Sequence, residues 1–103
     1  MKLLNIDHIP GAEIEALGLV RGTVVQSKHF GKDLMAGLKT LVGGEITGYT
    51  EMLNEARAIA TKRRVDEAEA LGADAIVNVR YGSSAIMDGA AEVLAYGTAV
   101  RIK

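Results

Sequence analysis

Arg57 is the residue in this chain best placed to do chemistry. Tyr49, Leu53 and Arg57 stand at i, i+4 and i+8, so on a helix the guanidinium shares a face with an aromatic ring and a leucine. An arginine on an apolar stripe either pairs with a carboxylate, from its own or another subunit, or receives an anionic ligand. The planar guanidinium fork favours the buried interface pair. Glu51 lies nearby in sequence. A site at a subunit boundary using Arg57, Tyr49 and Glu51 is the one enzymatic arrangement on offer, and it requires a concave pocket where the three converge.

Other groups have plainer explanations. Gly43-Gly44-Glu45-Ile46-Thr47-Gly48 precedes a helix start, where anions are favoured, but no Gly-Lys-Ser/Thr follows and a turn accounts for the glycines. Lys62-Arg63-Arg64 has Glu55, Glu67 and Glu69 within one or two turns, which reads as a solvated, locally balanced face. His29 has no serine, cysteine or paired carboxylate at a marked spacing. Ser83-Ser84 lies near a hairpin, where hydroxyls serve turns. Nothing here resembles a catalytic apparatus, and the chain reads as a binding or structural protein rather than an enzyme.

Metal chemistry has few donors. With no cysteine, the candidates are His8, His29, Asp7 and methionines 1, 35, 52 and 87, and the two histidines are not at i, i+4. Thiolate and imidazole are what zinc and softer metals prefer. A ring of subunits could still repeat one Asp or His around an axis. No residue identifies a cofactor.

The elements that must position these groups are legible. A long helix runs from Tyr49 to about Leu71, roughly 35 Å at 1.5 Å per residue. The turn Leu71-Gly72-Ala73-Asp74 and a strand from Ala75 follow directly, so the helix lies back across the strand's own sheet. Its stripe of Tyr49, Met52, Leu53, Ala56, Ile59 and Ala60 is interrupted by Arg63 and Arg64 and resumes, rotated, at Val65, Ala68 and Leu71. Either the two halves meet different surfaces or the helix curves over one sheet.

Upstream, Leu3, Leu4 and Ile6 suggest a short strand. A second strand runs from Gly18 to Ser27, where Gly22 marks a bulge or a close backbone approach. A short helix is expected from Lys32 to Leu41. Downstream, the segments 75–86 and 91–102 flank Asp88-Gly89, a strong hairpin signal. A two-residue turn there sets Tyr81 opposite Tyr96, Val79 opposite Thr98 and Val77 opposite Val100.

At 103 residues the chain makes one domain, residues 1–103. A net charge of −1 offers no basic face for nucleic acid. No apolar run approaches the roughly 20 residues of a membrane span, and the start breaks off too soon for a signal peptide; a cytoplasmic location is expected. Aromatics are few and tryptophan is absent, so an aliphatic core invites burial against neighbouring copies.

Several blocks together resemble the YbjQ-like family of small bacterial and archaeal proteins. They are Gly18-Leu-Val-Arg-Gly22, the run from Leu41 through Leu53 with Ala56-Arg57, Ala70 through Tyr81, and Tyr96-Gly-Thr-Ala-Val100. The resemblance covers nearly the whole chain. It implies an α+β subunit in two layers, an antiparallel β-sheet carrying one long and one short helix, assembled as a ring-like homopentamer. The family is labelled heavy-metal-binding, and its physiological role is not established. The expected partner is therefore the chain itself, with a small ligand or metal as the further possibility.

Overall fold

The structure, a computed structural model, describes residues 1–27, 41–42 and 45–103. In chain order these form β1 (Lys2–Leu3), β2 (Ile14–Ser27), β3 (Leu41–Val42), β4 (Glu45–Ile46), α1 (Thr47–Ala70), β5 (Ala75–Met87) and β6 (Ala90–Ile102). The main sheet has the order β1-β5-β6-β2, and β3 pairs with β4 alone. The sheet is mixed rather than purely antiparallel, because β1 runs parallel to β5. The helix expected over Lys32–Leu41 lies outside the described residues apart from Leu41, which opens β3. His29, Phe30, Met35 and Gly43-Gly44 also lie outside them.

The long helix ends as its sequence requires. Gly72 sits at φ +76°, its N–H donates to the Glu69 carbonyl at 2.9 Å, and the Ala73 N–H donates to that of Ala68 at 3.1 Å. These two bonds make the glycine-dependent Schellman stop. The chain reverses at once into β5, and Asp74 then ties the end of β6 by accepting the Ile102 N–H at 2.7 Å.

α1 lies on the sheet along one continuous line, Met52, Ala56, Ala60, Arg64 and Ala68, each buried. The stripe therefore does not jump sideways; it passes through Arg64 over a single sheet. Alanines at 56, 60 and 68, four and eight residues apart, bring the helix backbone close. Under the line, Val20, Gly22 and Val24 of β2 are buried, while Arg21, Thr23 and Val25 face away and are exposed. A methyl at Gly22 would lie 2.2 Å from the Ala60 carbonyl oxygen and 2.5 Å from the Arg64 nitrogen. Gly22 is thus a point of helix–strand contact, not a bulge.

The hairpin forms at Asp88-Gly89, with Met87 opposite Ala90, but the expected register holds only there. Register shifts fall between Ala85 and Met87 and again between Val77 and Arg80. Tyr81 consequently faces Ala95, Tyr96 faces Arg80, and Val77 faces Thr98. At the second bulge Asn78 takes φ 53°, which asparagine tolerates better than most residues. There the Asn78 and Val79 N–H groups donate to the Ile6 and Leu4 carbonyls. The N-terminal segment along the edge of β5 is what holds the extra residue in place.

Hydrophobic burial is uneven. Under α1, Val24, Val93 and Ala95 pack with Ala56 and Ala60, and Val20, Ile76 and Ala99 pack with Ala68. On the opposite face the described residues cover one end, where Ile9, with Leu4 and Ala12, packs on Ala75, Val77 and Val100. Elsewhere on that face Leu19 is 65 % exposed and Val25 57 %. The molecule measures 53 × 26 × 17 Å with a radius of gyration of 16.8 Å, against about 13 Å for a compact chain of this length.

Replacing Gly22 by alanine is expected to lower stability by about 3 kcal/mol, the upper part of the range for overpacking, because the clash is with backbone that cannot rotate away. Urea unfolding of Gly22→Ala checks this, and a loss below about 0.5 kcal/mol would contradict the contact.

Candidate functional site

Two structural features meet along one flank of α1. Tyr49, Leu53, Arg57 and Thr61 descend that flank at four-residue spacing, and Tyr81, Ser83 and Ala85 alternate along the facing side of β5. Between the helix start and the hairpin lies an open cleft of about 410 Å³ lined by Tyr49, Leu53, Ser83, Ala85 and Met87, among others. Further along, the Thr61 hydroxyl and the Tyr81 phenol are hydrogen-bonded at 2.7 Å.

Behind Tyr81 lies Arg64, 0 % exposed. Its position in the buried helix line leaves the side chain no way out to solvent, so it extends over β6 towards β5. Nη1 donates to the Tyr96 carbonyl at 3.0 Å and more weakly to that of Arg80 at 3.4 Å. Nη2 donates to the Tyr81 oxygen at 3.1 Å, and the guanidinium carbon lies 4.9 Å from the Tyr81 ring centre. Nε has no partner among the described residues. Nor does a carboxylate reach Arg64: the ion pairs among the described residues are His8–Asp7 and Lys62–Asp66. An uncompensated buried cation is costly, by several kcal/mol before carbonyl dipoles are counted.

That charge bears on Tyr81. Burial pushes the phenol up, but its hydrogen bonds to Thr61 and Arg64, with the charges of Arg64 and Arg57, together hold it below the usual tyrosine value of 10.0. Tyr81 remains 47 % exposed on its open side. Tyr81 is thus a phenol beside a buried cation and partly open to solvent.

The residues singled out from sequence are placed as follows. Tyr49 lines the cleft. Arg57 is exposed on the same flank and donates to the Asn54 side-chain oxygen rather than to a carboxylate. Glu51 is exposed and outside the cleft lining; two residues on from Tyr49 it points to another side of the helix. The basic run is not one solvated face. Lys62 pairs with Asp66 at 3.0 Å and Arg63 donates to the Thr23 carbonyl at 2.6 Å, both exposed, whereas Arg64 is fully buried. Sequence reasoning missed Arg64, Tyr81 and Thr61. The signal was there in part: Arg64 falls four residues after Ala60 and four before Ala68.

At the other end, His8 Nδ1 lies 2.9 Å from an Asp7 carboxylate oxygen, both exposed, and the hydrogen bond and charge of His8 lower the Asp7 pKa. Among the described residues no three His, Asp or Glu side chains gather closely enough to hold a metal ion. No helix among them is long and apolar enough to cross a membrane.

The architecture and flank together define a two-layer α+β domain, a mixed four-stranded sheet under one long helix. The same fold occurs in a protein of unknown function from Pediococcus pentosaceus, described as a member of the DUF74 family. Its TM-score is 0.68, covering 100 % of this chain and 98 % of that one at 17 % identity, a likeness of fold alone. The chain belongs to the YbjQ family, whose model, described as "Putative heavy-metal-binding", matches residues 1–103. It is 63 % identical over 102 residues to a UPF0145 protein of Clostridium novyi, covering 99 % of each chain. A UPF0145 protein of Alkaliphilus metalliredigens is 61 % identical over 101 residues, covering 98 % of each.

The lowered Tyr81 pKa has a stability consequence of definite sign. Because folding favours the phenolate, the contribution is fully present above the unfolded value of about 10 and is lost as pH falls through the lower folded value. The stability difference between wild type and Tyr81→Phe should therefore widen as pH rises towards 10. Denaturant melts at stepped pH measure it, and a constant or shrinking difference would contradict the assignment.

Proposed function

We propose that this protein is a non-enzymatic, homo-oligomeric binding protein of the cytoplasm, a pentameric ring in which neighbouring copies cover the bare face of the sheet. The observation that carries this reading is the protomer's unfinished burial. Its accessible surface is 6424 Å², whereas a folded monomer of 10.9 kDa is expected to expose about 5,600 Å². Leu19, Val25 and Tyr96 stand out on the uncovered face, and β2 is a long edge strand, a template for pairing unless something blunts or covers it. The number five comes from the family resemblance. In such a ring the flank holding Tyr49, Arg57 and Tyr81 would take a small ligand or a side chain of the adjoining copy.

Light scattering is expected to give five protomer masses, and Leu19→Asp combined with Val25→Asp to give a smaller species. A monodisperse monomer at micromolar concentration would refute the proposal.

The family description favours a second reading, metal binding. The donors described in one protomer do not fit it: there is no thiolate, and Asp7 and His8 stand without a third ligand. A site would have to repeat Asp7 and His8 around the ring axis. Calorimetry of tag-free protein with zinc, copper and nickel is expected to show no saturable heat. Saturable binding at less than one ion per chain, abolished by His8→Ala, would establish the shared site instead.

A further inference from the structure

The geometry points to Tyr81 as a nucleophilic side chain and a site of covalent modification: its oxygen, backed by the Arg64 guanidinium and the Thr61 hydroxyl, attacks an activated acyl, phosphoryl or sulfonyl centre presented from the open flank. Three independent observations converge on that oxygen. The first is a fully buried cation 3.1 Å behind it with no carboxylate partner among the described residues. Ionising the phenol supplies the missing negative charge without bringing in another group. The second is the Thr61 hydroxyl at 2.7 Å, which can donate to the phenolate and hold it in place. The third is access, since the Tyr81 residue is 47 % exposed.

The surroundings favour this assignment. Facing Tyr81 from α1 are Thr61, Arg64 and the charge of Arg57. From β6, the residues on the helix side are Val93, Ala95 and Gly97, none titratable. The neighbouring Arg80 of β5 is turned away, donating to the Asn5 and Val79 carbonyls at 2.9 Å. No described carboxylate is poised to take the cation from the phenol. A buried guanidinium behind a nucleophile's oxygen favours the ionised form, and the ionised form is the one that attacks. Exposed Arg57 on the same flank suits a donor with an anionic leaving group.

The step balances simply. The phenol proton passes to solvent, the phenolate oxygen forms a bond to the electrophilic carbon, phosphorus or sulfur, and the bond to the leaving group breaks with the electron pair departing on that group. No oxidant or reductant is involved.

The test uses benzenesulfonyl fluoride, where an S–O bond forms and fluoride leaves, with the modified tyrosine located by peptide mass mapping. At about pH 8 an ordinary phenol is about 1 % ionised, so N-acetyltyrosinamide sets the reference rate. Tyr81 should react at least about tenfold faster, with a pH–rate midpoint below that of the free amide. Arg64→Met, which removes the buried cation, should slow Tyr81 towards the free-amide rate with circular dichroism matching wild type. Thr61→Val, at a half-buried surface position, is the second variant and should slow Tyr81 by about fivefold with circular dichroism unchanged. Labelling of Tyr81 no faster than the free amide, a midpoint at or above that of the amide, or a Thr61→Val rate equal to wild type would each overturn the proposal.

Discussion

The seam between α1 and β2 has no room for a methyl group at position 22, and most of the molecule follows from that closeness. Glycine on the strand and alanines at 56, 60 and 68 on the helix let two backbones approach as neither could with branched side chains. Packing so close buries modest side chains completely, which suits a chain poor in aromatic residues. It also leaves little space in the layer between helix and sheet. One long side chain in that line, Arg64, can only lie flat within the seam.

Its burial turns a packing solution into an electrostatic problem. Carbonyls of Tyr96 and Arg80 receive its N–H groups, but dipoles do not cancel a net charge. The phenol of Tyr81 is the nearest described group able to become negative. The unusual chemistry of the α1–β5 flank therefore descends directly from how tightly the helix is seated. Arg57, which looked from the sequence like the group awaiting a partner, lies outside the seam, exposed and hydrogen-bonded to the Asn54 side chain.

Among the described residues the other face of the sheet lacks an equivalent cover. The N-terminal segment shields one end of it through Ile9 and its neighbours, and the remainder presents apolar and mixed side chains to water. A single helix cannot occupy both faces, so a protomer of this length has either to tolerate the exposure or to share it with another copy.

How much of this was legible in the chain depended on range. The long helix, its Gly72 stop, the immediate return into β5 and the Asp88-Gly89 turn are decided by neighbours a few residues apart, through backbone geometry that glycine and asparagine-like residues alone supply cheaply. The sequence by itself determined those elements, and its blocks identified the family. The register of β5 on β6 was not legible, because two bulges reset it and the one at Asn78 is held by Leu4 and Ile6, some seventy positions distant in the chain. The burial of Arg64 was only partly legible: its spacing from Ala60 and Ala68 places it in the alanine line, but the basic run around it reads as a solvated face. Only the tertiary structure decided that its flank is the one pressed onto the sheet, since charge burial is set by what lies across the seam and not by what lies beside it in the chain.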